Sequence, residues 1–151
     1  MDLLYQSTSD GIKVATGSRA SPQNFSIVDF MSEFVLTAEE DANCKTPSRD
    51  DILSSPNSNA YIDFTGDCVP DLLLTRQTGS YADLETKTDV RTYYEIYVQI
   101  FKGSKSKYCL AAQDGQIIDP ADKLSSQQGS APMPLLEIAD FNRDGMFDLA
   151  F

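Results

Sequence analysis

Apolar positions along the chain fall in short runs, and the clearest of them has a period of two. In "TYYEIYVQIF", Tyr94, Ile96, Val98 and Ile100 share one face of an extended chain while Glu95 and Gln99 take the other, which predicts a half-buried strand. The polar stretch "KGSKSK" follows and then "YCLAAQ", so these two runs are expected to pair as an antiparallel hairpin. Elsewhere β-branched and aromatic residues stand in runs bounded by Gly, Ser, Asp and Pro, and the chain reads as mainly β. One run departs from this period. "FSIVDFMSEFVL" sets Ile27, Phe30, Met31, Phe34 and Val35 at helical spacing and predicts a short helix, although the residues are good strand formers. The acidic, aperiodic "TAEEDANCKTPSRDDILSSPNSN" is expected to be one long surface loop, as are "QTGSYADLETKTD" and "DGQIIDPADKLSSQQGSAP".

Composition narrows the chemistry. The 151 residues suffice for one domain of ordinary size, and 41% hydrophobic content is compatible with a core. A formal net charge of −11 argues against nucleic acid or an anionic membrane as partner, since both call for clustered Lys and Arg. With no histidine, the chain lacks every Ser-His-Asp and Cys-His arrangement and the commonest zinc and haem ligand. Three cysteines, Cys44, Cys68 and Cys109, show no C-x-x-C spacing. One disulfide with an orphan and three buried thiols are both open on this ground. No run approaches the roughly 20 apolar residues of a membrane span. The first ten residues lack the pattern of a signal peptide, so a secreted protein would carry its signal outside this sequence. Asn24-Phe25-Ser26 matches the N-glycosylation acceptor triplet.

Two stretches carry a more specific pattern, "YIDFTGDCVPDLLLT" and "EIADFNRDGMFDLAF". Numbered from the first aspartate, the first loop has Asp63, Thr65, Asp67 and Asp71 at positions 1, 3, 5 and 9, and the second has Asp140, Asn142, Asp144 and Asp148. Position 7 is Val69 or Met146, which can offer only a backbone carbonyl. A Ca²⁺ ion takes six to eight hard oxygen donors of this kind. Carboxylates crowded together repel one another unless a cation lies between them, so folding and calcium binding are expected to be coupled. Two divalent ions would bring the formal charge from −11 to −7. An EF-hand needs a bidentate Glu at position 12 and flanking helices. Here that position is Leu74 or Phe151, and the flanks are short and strand-like.

The alternative for each loop is a metal-free Asx-rich turn. Recurrence of aspartate at positions 1, 5 and 9 favours calcium. The first loop departs from the second in carrying Cys68 where Gly145 provides the expected sharp turn, with Gly66 at position 4 available to relieve strain. The N-terminal "MDLLYQ" echoes "PDLLLT" and "FDLAF", which would make Asp2 the ninth position of a third loop in a repeat of unequal units.

On these residues the sequence resembles FG-GAP/VCBS repeats, the units of the integrin α-subunit β-propeller. "SNAYIDFTGDCVPDLLLT" and "PLLEIADFNRDGMFDLAF" together resemble the T-cell immunomodulatory protein family, an integrin-α-like group of cell-surface proteins. The resemblance implies antiparallel four-stranded blades of an integrin-α-like β-propeller, about two of them here, which is a partial propeller because a closed one takes about four to eight. Residues 1–60 would end one repeat, 61–134 form a repeat with the first calcium loop, and 135–151 begin the next with the second. Tyr61 and Ile62 would end a first strand, Leu72 to Leu74 begin a second, and "YYEIYVQIF" and "YCLAA" complete the blade, with Leu135 to Ala139 opening its neighbour.

The resemblance further implies structural calcium and a non-catalytic, extracellular or cell-surface adhesion module, on a membrane glycoprotein whose anchor lies outside these residues. The implied partner is another protein, with no membrane contact within this chain and with association possible through exposed blade edges. It tilts the cysteines toward disulfide use, with Cys68–Cys109 and Cys44–Cys68 as possible pairings. Two other classes stand beside it: a repeat region accompanying a secreted hydrolase, such as a glycosylphosphatidylinositol-specific phospholipase D, and a calcium sensor.

Overall fold

The computed structural model describes residues 3–7, 11–17, 24–53, 59–78, 92–103, 105–111, 116–117 and 137–150. Asp2, Leu135, Leu136 and Phe151, and most of the two loops expected after Gln77 and Ala111, lie outside the described residues. The protein is mainly β and its sheets are antiparallel.

β1 (Leu3–Ser7), β2 (Gly11–Gly17) and β3 (Phe25–Asp29) form a three-stranded meander. Its register sets Leu4, Val14 and Val28 side by side on one face, and Leu3, Ala15 and Ile27 on the other. The first face turns inward, with Ile12 and Val14 buried.

The run expected to be a single helix is divided. Phe25 to Asp29 pair with β2, and only Phe30–Glu33 form a helical turn, α1. Two features set the boundary. β-branched Ile27 and Val28 fit a pleated strand, and Asp29 then caps the turn by accepting the Ser32 N–H at 2.8 Å. Ile27, placed on the apolar face of the expected helix, is exposed on the sheet.

The larger sheet is built on β7 (Asp71–Gln77), β8 (Thr92–Lys102) and β9 (Lys105–Ala111). The expected hairpin is present: Lys102 pairs with Lys105, and Gly103 takes a φ of 65° in the turn. β6 (Ala60–Ile62) pairs with the start of β7, completing a four-stranded meander β6-β7-β8-β9. Three two-residue strands extend it. β5 (Ile52–Leu53) pairs with the end of β7, β4 (Cys44–Lys45) with the end of β9, and β10 (Gln116–Ile117) with β8 at Tyr94 and Glu95. The segment expected as one long surface loop therefore contributes β4 and β5. Cys44, Ile52 and Leu53 in it are buried, because neighbouring strands give them a register that no local periodicity announces.

The two sheets pack through one core in which Ile12, Val14, Phe30, Met31 and Val35 meet Leu53, Leu72, Leu74, Tyr97 and Leu110. Phe30 stands edge-on to Tyr97 with ring centroids 6.0 Å apart. Burying a side chain such as Leu72 or Leu110 contributes about 1.5–3 kcal/mol.

β8 differs from expectation in one respect. Tyr94 is buried, but Tyr93, Glu95 and Tyr97 on the opposite face are buried as well, while Ile96, Val98 and Ile100 are only half-buried. Glu95 is thus a core residue, and Arg76 on β7 is what allows it to be one.

Cys44 and Cys109 form a disulfide with Cα atoms 5.2 Å apart, and Cys68 is free and exposed. This corrects both expected pairings, Cys68–Cys109 and Cys44–Cys68. Pairing of β4 with β9 brings Cys44 beside Cys109, whereas Cys68 sits in the turn between β6 and β7. Among the described residues no helix is long and apolar enough to cross a membrane.

Candidate metal centre: two acidic loops

β11 (Glu137–Ala139) and β12 (Asp148–Ala150) form a separate two-stranded antiparallel sheet. The second acidic loop joins these strands, and the first joins β6 to β7. In each, position 1 follows the last residue of one strand and position 9 opens the next. The residue before position 1 pairs with position 9, Ile62 with Asp71 and Ala139 with Asp148. Both loops are therefore the turns of hairpins, as expected from their strand-like flanks.

The two turns share a hydrogen-bond scheme. The carboxylate at position 1 accepts the backbone N–H groups of positions 5 and 6: Asp67 at 3.1 Å and Cys68 at 2.8 Å for Asp63, Asp144 at 3.0 Å and Gly145 at 2.9 Å for Asp140. The carboxylate at position 5 accepts the N–H of position 7, Val69 to Asp67 at 2.8 Å and Met146 to Asp144 at 2.9 Å. The carboxylate at position 9 reaches back to the N–H groups of positions 2 and 3. Asp71 takes Phe64 and Thr65 at 2.9 and 3.1 Å, and Asp148 takes Phe141 and Asn142 at 3.0 and 3.3 Å. At position 3, the Thr65 hydroxyl donates to Asp63 at 3.4 Å, and the Asn142 amide donates to Asp144 at 3.0 Å.

The backbone repeats too. Positions 4 and 6 are left-handed in both loops: Gly66 and Cys68 at φ 72° and 66°, Arg143 and Gly145 at φ 63° and 90°. Each loop supplies one glycine and forces one side-chain-bearing residue into that region. The loops also lie against each other, since a Cβ on Gly66 would stand 3.9 Å from Met146 Cγ.

The donors are all oxygens: three carboxylates, a hydroxyl or amide, and the carbonyl of Val69 or Met146. That set suits a hard cation. An ionised carboxylate has about four acceptor sites, more than the backbone N–H groups use here. By donor type the residues fit Ca²⁺. In this structure the carboxylates face the loop backbone, and among the described residues no three His, Cys, Asp or Glu side chains form a metal-holding group.

A second polar constellation was not anticipated from the sequence. Arg76, fully buried, donates to Glu95 at 3.0 Å, to the Tyr97 hydroxyl at 3.4 Å, and to the carbonyls of Ser48 and Asp51 at 2.8 and 2.6 Å. Tyr97 and Tyr93 donate to Glu95 and Asp51, both at 2.5 Å. Burial pushes the Glu95 carboxyl upward, and the Arg76 charge opposes that shift without cancelling it. Burial also raises both tyrosines far above their ordinary range, so they remain hydroxyl donors. Arg76 lines a cavity of about 180 Å³ together with Ile12, Asp29, Met31, Arg49 and Asp51, and its Nε has no hydrogen-bond partner among the described residues. The signal in the sequence was a charge at the end of the apolar run "LLLTR" and another among tyrosines in "YYEIY".

Fold and loops together define an antiparallel β-sheet protein with a repeated acidic hairpin turn. Over 97 residues the chain is 31% identical to a T-cell immunomodulatory protein homolog of Plasmodium yoelii yoelii, a match covering 64% of this chain and 11% of that protein. The chain thus spans about a ninth of the length of this relative. No family model matches the chain, and no solved structure matches it.

Proposed function

We propose that this chain is part of a non-catalytic, extracellular protein-interaction module of stacked antiparallel sheets, in which each acidic loop holds a structural Ca²⁺ ion. The observation that carries the metal reading is the shared scheme of the two loops. Their sequences differ at positions 3, 4, 6, 7 and 8, yet they keep the same carboxylate-to-backbone bonds and the same two left-handed positions. A turn that needed only Asx chemistry would not call for oxygen donors at five alternate positions. Asp63, Thr65, Asp67, Val69 and Asp71 would hold one ion, and Asp140, Asn142, Asp144, Met146 and Asp148 the other. The ion's part is to neutralise converging carboxylates and clamp the hairpin.

The extracellular placement is supported by the Cys44–Cys109 disulfide, since such bonds persist in oxidising compartments. The designation of the relative as a T-cell immunomodulatory protein homolog agrees with an interaction role. Four strands in meander order, packed face to face with a second sheet, agree with blades of a β-propeller, and the partner would be another protein.

The test is a calorimetric Ca²⁺ titration of chelator-stripped protein beside the Asp140→Ala/Asp144→Ala variant. Two binding events reduced to one in the variant are expected. Absence of binding by the unmodified protein would return both loops to metal-free turns.

A further inference from the structure

We propose that Asn24 carries an N-linked glycan and that this glycan shields the edge of the three-stranded sheet that is unpaired among the described residues. The proposal rests on the extracellular reading above, because only a chain passing through the secretory pathway meets the transferring enzyme. Asn24 immediately precedes β3 and is exposed, as are Phe25 and Ser26, so all three residues of the acceptor triplet stand free of the core. A glycan is bulky and polar, and the folded state accommodates it only at such a position. The chain is extended beyond Asn24, with the Thr16 hydroxyl donating to the Ser26 carbonyl at 3.3 Å.

The surroundings indicate what the glycan would cover. Among the described residues β3 pairs on one side only, with β2, and an unpaired edge invites a strand from another molecule. The outward face beside that edge is apolar. Phe25 and Ile27 on β3 are 62% and 64% exposed, and Leu3, which shares Ile27's row through Ala15, is 64% exposed. The charged pair that would discourage association, Lys13 with Asp29 at 3.6 Å, stands at the other end of β3. The Asn24 end is left to the glycan.

The chemistry is a group transfer from a lipid-linked pyrophosphoryl oligosaccharide. Asn24 Nδ2 attacks C1 of the first sugar, a C–N bond forms, the C–O bond to pyrophosphate breaks, and the amide proton leaves as the lipid pyrophosphate departs.

The experiment expresses the 151-residue chain behind a cleavable signal peptide in a eukaryotic secretory host, beside Asn24→Gln and Ser26→Ala. A mobility shift removed by an endoglycosidase and missing from both variants is expected, with increased self-association of the enzymatically trimmed protein in sedimentation. An unshifted wild-type chain that nevertheless contains the Cys44–Cys109 disulfide overturns the acceptor assignment alone. A chain that is both unshifted and fully reduced overturns it together with the extracellular reading. A shift with unchanged sedimentation after trimming overturns the shielding role.

Discussion

Asp71 and Gln99 are joined by a bond that lies just beyond the last backbone pair of the β7–β8 ladder, Leu72 with Tyr97. The Asp71 carboxylate, fully buried at the first residue of β7, accepts the N–H of Gln99 on β8 at 3.0 Å, while its other oxygen accepts Phe64 and Thr65 from the loop. The ninth position of the first loop thus anchors the turn to the central hairpin. Asp148 accepts from its own loop at the two equivalent bonds and is only partly buried.

Asp71→Ala should therefore cost more than Asp148→Ala even without metal. It strands three donors, one of them between strands, and a loss of roughly 2–4 kcal/mol is expected, against about 1 kcal/mol for Asp148→Ala. Asp71→Asn should recover little, because its amide nitrogen would meet an N–H donor on one side. Urea midpoints measured in chelator check this, and equal losses at Asp71 and Asp148 would contradict it.

The left-handed residues make a second pair. Cys68 at φ 66° carries a side chain where Gly145 at φ 90° carries none. Cys68→Gly should stabilise the chain by about 1 kcal/mol, and Gly145→Ala should destabilise it by about 1–2 kcal/mol. A Cβ at position 145 would meet nothing within 4 Å, so the second change reads backbone strain alone. Denaturation of both variants under reducing conditions, compared with wild type in the same buffer, gives the two differences.

These loops were legible because their information is local. Nine residues set the candidate oxygen donors and the sharp turn at position 6 that Gly145 marks, and the strand-like flanks on either side set the hairpin. The burial of Glu95 was not legible, since alternation along β8 assigns it to solvent and its true environment depends on Arg76, a residue on another strand. The same reason hid β4 and β5. Two residues carry no period, and Cys44, Ile52 and Leu53 are ordered by the strands they meet. Asp29 shows the converse. Its cap on the turn at Phe30 is local, in "IVDFMSE", but the helical spacing from Ile27 to Val35 runs across it and does not mark where the strand ends.

Asp29 provides a pH test. Burial opposes its ionisation, but the Ser32 N–H and hydroxyl, with Lys13 and Arg49, outweigh burial and hold the carboxyl below its ordinary value of 3.8. A lowered folded value means stability that is present above 3.8 and lost as pH falls through the folded value. Asparagine caps a helix about as well as aspartate, so Asp29→Asn removes the charge and keeps the cap. The variant should be less stable than wild type at neutral pH by at most about 1 kcal/mol, as for an exposed ion pair. The gap should close in acid, and melting temperatures of both proteins across the acid range would show whether it does.

Arg76 gives the largest expected effect. Removing one partner of a buried pair leaves the other charge without compensation, and Arg76→Met also releases the carbonyls of Ser48 and Asp51. A loss of about 3–5 kcal/mol at neutral pH is expected. Glu95 already has a raised folded value, so it binds its proton more readily in the folded state than in the unfolded one, and its contribution to stability falls as pH rises. Without Arg76 the opposing charge is gone and that slope should steepen. The deficit of Arg76→Met relative to wild type should therefore shrink as pH drops toward the ordinary glutamate value of 4.5, and adding Glu95→Gln should recover part of it at neutral pH. A deficit that is independent of pH and unmoved by Glu95→Gln would assign the cost to lost packing and carbonyl contacts, with the ion pair contributing nothing.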